Sequence, residues 1–331
     1  MNHLHRLHLA ALITLALSSA ASAAVIVVDT SDSTVNLDGK CSLREALQAA
    51  ETNLPVDACA AGAIAGTDEI FFARTLTGQT ITLTSDLLTS AGAVVVDAQG
   101  RQIIITGSGN VDPFQIGGGD VTLRGLDIRA SGNGSGFVVY GTNTDLTLEG
   151  CYVIGRLGMN AFGSPSTVRV YNSTVVSTET TAASDIGIRS GSSNQLDIFN
   201  STVVAGPGTG VDASSSSGAT TIYSSIVVGA TTTAGTVTPT FSKLATTRAG
   251  AGLNSVPASN GGPTLTIALL SGSAIDGGDC TAVPLPNFDQ RYYVNNATQK
   301  RLVGAKCDAG AYESGATASN DLIFAAEFEL Y

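Results

Sequence analysis

Four residues stand one step past a recurring glycine–apolar pair: Val138, Asn160, Arg189 and Asp212 follow Gly136-Phe137, Gly158-Met159, Gly187-Ile188 and Gly210-Val211. If these pairs repeat on successive layers, Arg189 and Asp212 become outward-facing neighbours with Asn160 beside them. An arginine next to a carboxylate can hold a sugar acid or take part in proton transfer, so these three are the candidate catalytic residues. The plainer reading is a cross-strand ion pair on a solvated face. It is favoured, because a lone Arg–Asp pair lacks the second acid or metal cage that such chemistry needs.

A second outward column carries Arg124, Glu149, Tyr171, Phe199 and Tyr223. Its three aromatics, Tyr171, Phe199 and Tyr223, are the candidate ligand-binding residues, since exposed rings pack on the apolar faces of sugars. The competing expectation is that the strip is covered, by the tail or by residues 231–254. A third group is acidic: Asp276, Asp279, Asp289, Arg291, Asp308 and Glu313. Calcium would suit clustered carboxylates, but the acids lack the spacing of a calcium loop, and an Arg–carboxylate network is the preferred expectation. No metal or other cofactor is assigned, calcium being the one left open.

These columns exist only if the chain repeats. One ten-residue phrase is written five times, as VTLRGLDIRA from Val121, LTLEGCYVIG from Leu146, VRVYNSTVVS from Val168, LDIFNSTVVA from Leu196 and TTIYSSIVVG from Thr220. In each, the first and third positions are apolar (Val121/Leu123, Leu146/Leu148, Val168/Val170, Leu196/Ile198), the alternation of a strand with one buried face. Gly125, Gly150, Asn172, Asn200 and Ser224 then mark a tight bend, and a second alternation follows through Ile128, Val153, Val175, Val203 and Val227. Strand, bend, strand, and a third strand at the Gly–apolar pair make one coil of roughly two dozen residues. The expected fold is therefore all-β, a right-handed parallel β-helix with coils about 4.8 Å apart.

The chain has 331 residues, a formal net charge of −11 and only 13% charged residues. Its acidity and the absence of a Lys/Arg cluster argue against nucleic acid as a partner. Residues 1–23 read as a secretory signal, with Arg6 in the basic start, an apolar run over 9–17 and Ala21-Ser22-Ala23 as the cleavage motif. His3, His5 and His8 all lie inside it, so the exported chain carries no histidine as base or metal ligand. No later apolar run is long enough for a transmembrane helix. In an oxidising compartment Cys41–Cys59 and Cys280–Cys307 are the expected disulfides, which leaves Cys151 as a buried space-filler.

Near the N-terminus, Ser42 and Glu45 form a capping box ahead of Leu43, Ala46, Leu47 and Ala50 at helical spacing. A short helix there covers the open edge of the first coil. The string Cys41-Ser42-Leu43-Arg44-Glu45-Ala46 resembles the CSLREA motif of bacterial exported proteins letter for letter. Residues 260–313, containing NGGPTLTIALLSGSAIDGGDC, DQR and CDAGAYE, resemble the choice-of-anchor Q domain. Ile267 replaces a His common in that family, and Gly272-Ser273-Ala274 lacks its usual Pro. The pair of resemblances implies an exported bacterial protein with a pectin-lyase-like fold. Enzymes of that fold include lyases, and hydrolases that use clustered Asp in NTD, DD and GHG-type motifs. A GHG cannot form once the histidines have left.

The expected organisation is a signal over 1–23, a first strand and capping helix over 24–66, the β-helix over 67–230, a loose coil or linker over 231–259, a C-terminal cap over 260–313 and a tail over 314–331. Residues 321–331, DLIFAAEFELY, form no sorting signal of the usual kind. The expected protein is monomeric and secreted or surface-located. It acts without catalysis in adhesion, structure or polysaccharide binding, with a polysaccharide or another cell-surface component as partner. The alternative is a lyase or glycoside hydrolase acting on acidic polysaccharide.

Overall fold

The alternating apolar residues close into three parallel sheets that wind as a β-solenoid of about seven turns. The computed structural model describes residues 23–89, 92–181, 184–281, 288–292, 301 and 306–315. The expected signal over 1–23 lies outside them except for Ala23, as does the tail from residue 316. Each coil contributes a strand to sheet 1, bends sharply into sheet 2, then crosses a loop into sheet 3; the sheets hold nine, eight and seven strands. In the coil that starts at Asp120 these strands are Asp120–Arg124, Asp127–Arg129 and Val138–Val139.

Like side chains lie over like. Val96, Leu123, Leu148, Val170, Ile198 and Ile222 pair in one unbroken file on sheet 1, and all are fully buried. Ile128, Val153, Val175, Val203 and Val227 form the matching file on sheet 2. Each such side chain contributes about 1.5–3 kcal/mol by leaving water. Because every rung repeats the one below, slipping a strand by one residue would turn its whole apolar set outward, and that fixes the register.

The bend between sheets 1 and 2 uses left-handed backbone on every coil: φ is 61° at Gly125, 64° at Gly150, 45° at Asn172, 47° at Asn200, 46° at Ser224 and 48° at Phe241. One residue later a ladder of hydroxyls seals the corner. Cys151 N donates to Ser173 Oγ at 3.1 Å, Ser173 N to Ser201 Oγ at 3.2 Å, Ser201 N to Ser225 Oγ at 3.1 Å and Ser225 N to Ser242 Oγ at 3.1 Å. Buried N–H groups that bend away from the sheets thus find acceptors within the next coil. At the opposite corner the recurring glycine is required by space, since a Cβ on Gly187 would sit 2.6 Å from Gly210 O.

Helix α1, Leu43–Thr52, has Ser42 as N-cap with both halves of the capping box formed. Leu43, Ala46, Leu47, Ala49 and Ala50 pack into the same core as the solenoid, so α1 closes the first coil. The Cys41–Cys59 bridge ties its start, with Cα atoms 4.8 Å apart. Beyond 230 the apolar alternation fades, yet the ladder continues through Thr231–Gly235, Thr238–Thr240 and Lys243–Ala245. From residue 249 the chain turns back along the flank. Ala251, Leu253, Ile267, Leu269, Ala274 and Ala309 pack on Tyr152, Val176, Val204, Ile226 and Val228 of sheet 2's outer face, forming a second core. The Cys280–Cys307 bridge lies within this strap. Ile267, which departs from the resembled family, is a buried member of that core.

Candidate functional site: a groove on the outer face of sheet 3

On sheet 3 the outward positions stack as Gln115, Val138, Asn160, Arg189 and Asp212. Around the first three the surface hollows into a groove of about 410 Å³, lined by Asn110, Asp112, Asn133, Ser135, Tyr140, Arg156 and Phe162 as well as by the column itself. The strand direction orders these groups. Asp112, Ser135 and Arg156 precede the strands, Gln115, Val138 and Asn160 make the floor, and Tyr140 and Phe162 follow two residues later. The two rings sit on consecutive coils and are 39% and 49% exposed. The Tyr140 phenol leans back over Gly117 of the coil below, where a Cβ would lie 2.7 Å from its oxygen, so only glycine leaves it room.

Two carboxylates frame the end of the floor. Gln115 Nε2 donates to Asp86 Oδ2 at 2.6 Å and to Asp112 Oδ2 at 3.2 Å. Asp86 Oδ1 also accepts from Asp112 N at 2.9 Å, and Asp112 Oδ1 from Ser135 N at 2.6 Å. Burial, and then the neighbouring Asp86 charge, hold the Asp112 carboxyl above the usual range against the pull of the Ser135 amide. All four carboxylate oxygens are thus engaged by the protein. The uncommitted groups are others: among the described residues the Arg156 terminal amino groups and the Asn160 side chain make no hydrogen bond, Arg156 donating only through Nε to Asn133 O at 3.0 Å.

The N-terminal motif reaches this site. Arg44, on α1, donates Nη1 to Asp86 O at 2.8 Å, Nη2 to Ser85 O at 2.7 Å and Nε to Ser33 O at 2.9 Å. Its planar fork therefore holds the turn that carries Asp86.

Of the residues singled out by spacing, Asn160 lies in the groove. Arg189 and Asp212 lie above it on the same column as an ion pair, Nε to Oδ2 3.8 Å, with Asp212 Oδ1 also accepting from Ser214 N and Oγ at 3.0 and 2.6 Å. Asn143-Thr144-Asp145 matches one hydrolase-type motif, but Thr144 is buried and Asp145 faces Arg169 at 3.8 Å on sheet 1. Tyr140, Phe162, Asp86, Asp112 and Arg156 had to be found in space. The rings alone left a trace in the sequence, being two steps along from Val138 and Asn160.

The sheet 1 aromatics form a ladder. Ring centroids are 5.4 Å apart for Tyr171–Phe199, 6.0 Å for Phe199–Tyr223 and 5.5 Å for Tyr223–Phe241. The tilted rings pack mainly on each other, and the Tyr223 hydroxyl donates to Asp279 Oδ2 at 2.7 Å in the strap. The remaining acids knit the strap together. Arg291 Nη2 meets Asp289 Oδ2 at 2.6 Å and donates to Glu313 O at 2.7 Å, while Asp308 accepts from Asp276 N and Ser314 N at 2.8 and 2.6 Å. Among the described residues no group of His, Cys, Asp and Glu is arranged to hold a metal ion. Cys151 is buried, and burial pushes its thiol up to about 12, which makes it inert as a nucleophile. Among the described residues no helix is long and apolar enough to cross a membrane. Compared with family models, with curated proteins and with solved structures, the chain finds no match, so the likeness of its two ends to known families rests on their motifs alone.

Proposed function

We propose that the protein is an exported, non-catalytic β-helix protein that binds polysaccharide in the sheet 3 groove, serving adhesion or structure at or outside the cell surface. One observation carries this reading. Two half-exposed rings on consecutive coils flank a polar floor whose free groups are an amide and a guanidinium, the mixture that packs on a sugar's apolar face and bonds to its hydroxyls. Coils repeat at about the length of one sugar unit, so successive rings can meet successive sugars. The two disulfides support an oxidising location.

Lyase or hydrolase action is the second reading, favoured only by the raised proton affinity of Asp112. Against it, Asp86 and Asp112 are already committed to Gln115 and to backbone amides, and the Arg189–Asp212 pair stands apart from the groove. A panel of soluble neutral, acidic and amino polysaccharides tests the reading by affinity electrophoresis and reducing-end assay. Retardation by one polymer without new ends, lost in Asn160→Ala, is expected. New ends that disappear in Asp112→Asn would establish the enzyme instead, and loss of retardation in Phe199→Ala but not in Asn160→Ala would move the site to sheet 1.

A further inference from the structure

We infer that Arg74 and Arg101, at the corner between sheets 1 and 2 on the first two coils, form a binding site for a phosphate or sulfate oxyanion. The two coils are in direct register there: Phe71 pairs with Asp97 on sheet 1, and Gly78 N donates to Arg101 O at 2.9 Å across the bend. Arg74 opens the short turn Arg74–Leu76 and is exposed. The Arg101 Nε is buried with no hydrogen-bond partner among the described residues, while its Nη1 donates to Gln99 Oε1.

Four outward arginines on the sheet strands lean on acids, Arg124 on Glu149, Arg129 on Asp127, Arg169 on Asp145 and Arg189 on Asp212, whereas Arg156 at the groove, like Arg74 and Arg101, has no acid at that distance among the described residues. Among the described residues no carboxylate comes within ion-pair distance of Arg74 or Arg101. Asp97, four residues before Arg101 on the same bend, accepts Gln99 N at Oδ1 at 2.6 Å. Burial and then the Arg74 charge lower the proton affinity of Arg101 against the opposing pull of Asp97, so the two arginines at this corner are balanced only in part in an otherwise acidic chain.

Like charges on adjacent rungs repel, and a desolvated guanidinium N–H without an acceptor costs more. An oxyanion with three or more acceptor oxygens offsets the repulsion through Arg74 and the Arg101 terminal amino groups, since guanidinium forks match its geometry, while the enclosed Nε lies too deep for it to reach. The location suits a ligand from solvent. The strap covers this corner only higher up, where Thr264 Oγ1 reaches Gly150 O, Arg301 Nη1 reaches Asn172 and Asp279 N reaches Ser224 Oγ. Around Arg74, residues Gly78, Gln79 and Gln102 are exposed.

Arginine side-chain Nε–Hε resonances, assigned by single Arg→Gln variants, test the site in the intact exported chain at constant ionic strength. Inorganic phosphate, inorganic sulfate and dextran sulfate are titrated separately. The expected result is a saturable shift at Arg101, with Arg124 and Arg169 as unmoved controls, weakened about tenfold or more in R74Q. Saturation by the free ions identifies a small-anion site, and saturation by dextran sulfate alone identifies a sulfated polymer as the source. Linear, equal drifts at all arginines with every probe, or an R74Q chain that still saturates like the parent, would overturn the inference. It stands apart from the groove: loss of polysaccharide retardation leaves it intact, and the reverse holds as well.

Discussion

Removing the two groove rings should weaken polysaccharide binding by an amount that follows from their exposure. An aromatic side chain presents about 200 Å², and Phe162 and Tyr140 are 49% and 39% exposed, which leaves roughly 100 and 80 Å² open to water. A sugar stacked on one face covers about half of that, ~50 and ~40 Å². At about 25 cal/mol per Å² the two contacts contribute ~1.2 and ~1 kcal/mol. Phe162→Ala should therefore raise Kd about eightfold, Tyr140→Ala about fivefold and the double variant roughly fortyfold, since the rings touch different sugars. Calorimetric titration with the polymer identified by the panel measures this, with far-ultraviolet circular dichroism as the check on folding. Both rings lie outside the core, so stability should move by about 0.5 kcal/mol or less. A folded double variant that binds within twofold of the parent refutes the assignment of the groove.

Ser201→Ala should destabilise by about 1–3 kcal/mol in urea, because it orphans the buried Ser173 N–H and removes the donor to Phe199 O and Val170 O; a cost near zero would show that the hydroxyl ladder is incidental. Arg44→Lys keeps the charge but loses the fork over Ser85 and Asp86, so amide protection over residues 80–89 should fall by about 1–2 kcal/mol, and unchanged exchange would dissociate α1 from the first coil. Tyr152 is buried, and burial first, then the Asp127 charge, raise its phenol to about 12. Its folded value lies above the unfolded one near 10, so its contribution is intact below pH ~10 and is lost as pH climbs toward 12; tyrosinate absorbance for this residue appearing at pH 10 in the folded protein would contradict the burial.

The solenoid was legible because its energetics are periodic. Each rung buries the same positions against the rung below, so the apolar files and the bend residues recur in the letters themselves. Asn172, Asn200 and Ser224 could be placed at a left-handed bend from one chain alone. The column Val138, Asn160, Arg189 and Asp212 was readable for the same reason, and its register is as the spacing requires.

What no repeat encodes was decided in three dimensions. Asp86, Asp112 and Arg156 come from loops of unequal length on different coils, and only winding brings them around Gln115 and Asn160. Residues 249–313 obey no coil period either. The apolar side chains of their described part match the outer face of sheet 2, where Tyr152, Val176, Val204 and Ile226 stand outward, so those residues lie along the flank. A strand's alternation says which side chains leave the core, but not whether a distant, aperiodic stretch of chain will cover them. That choice depends on the shape and area two surfaces share after both have formed, and it left sheet 2 sheathed and the sheet 3 groove open.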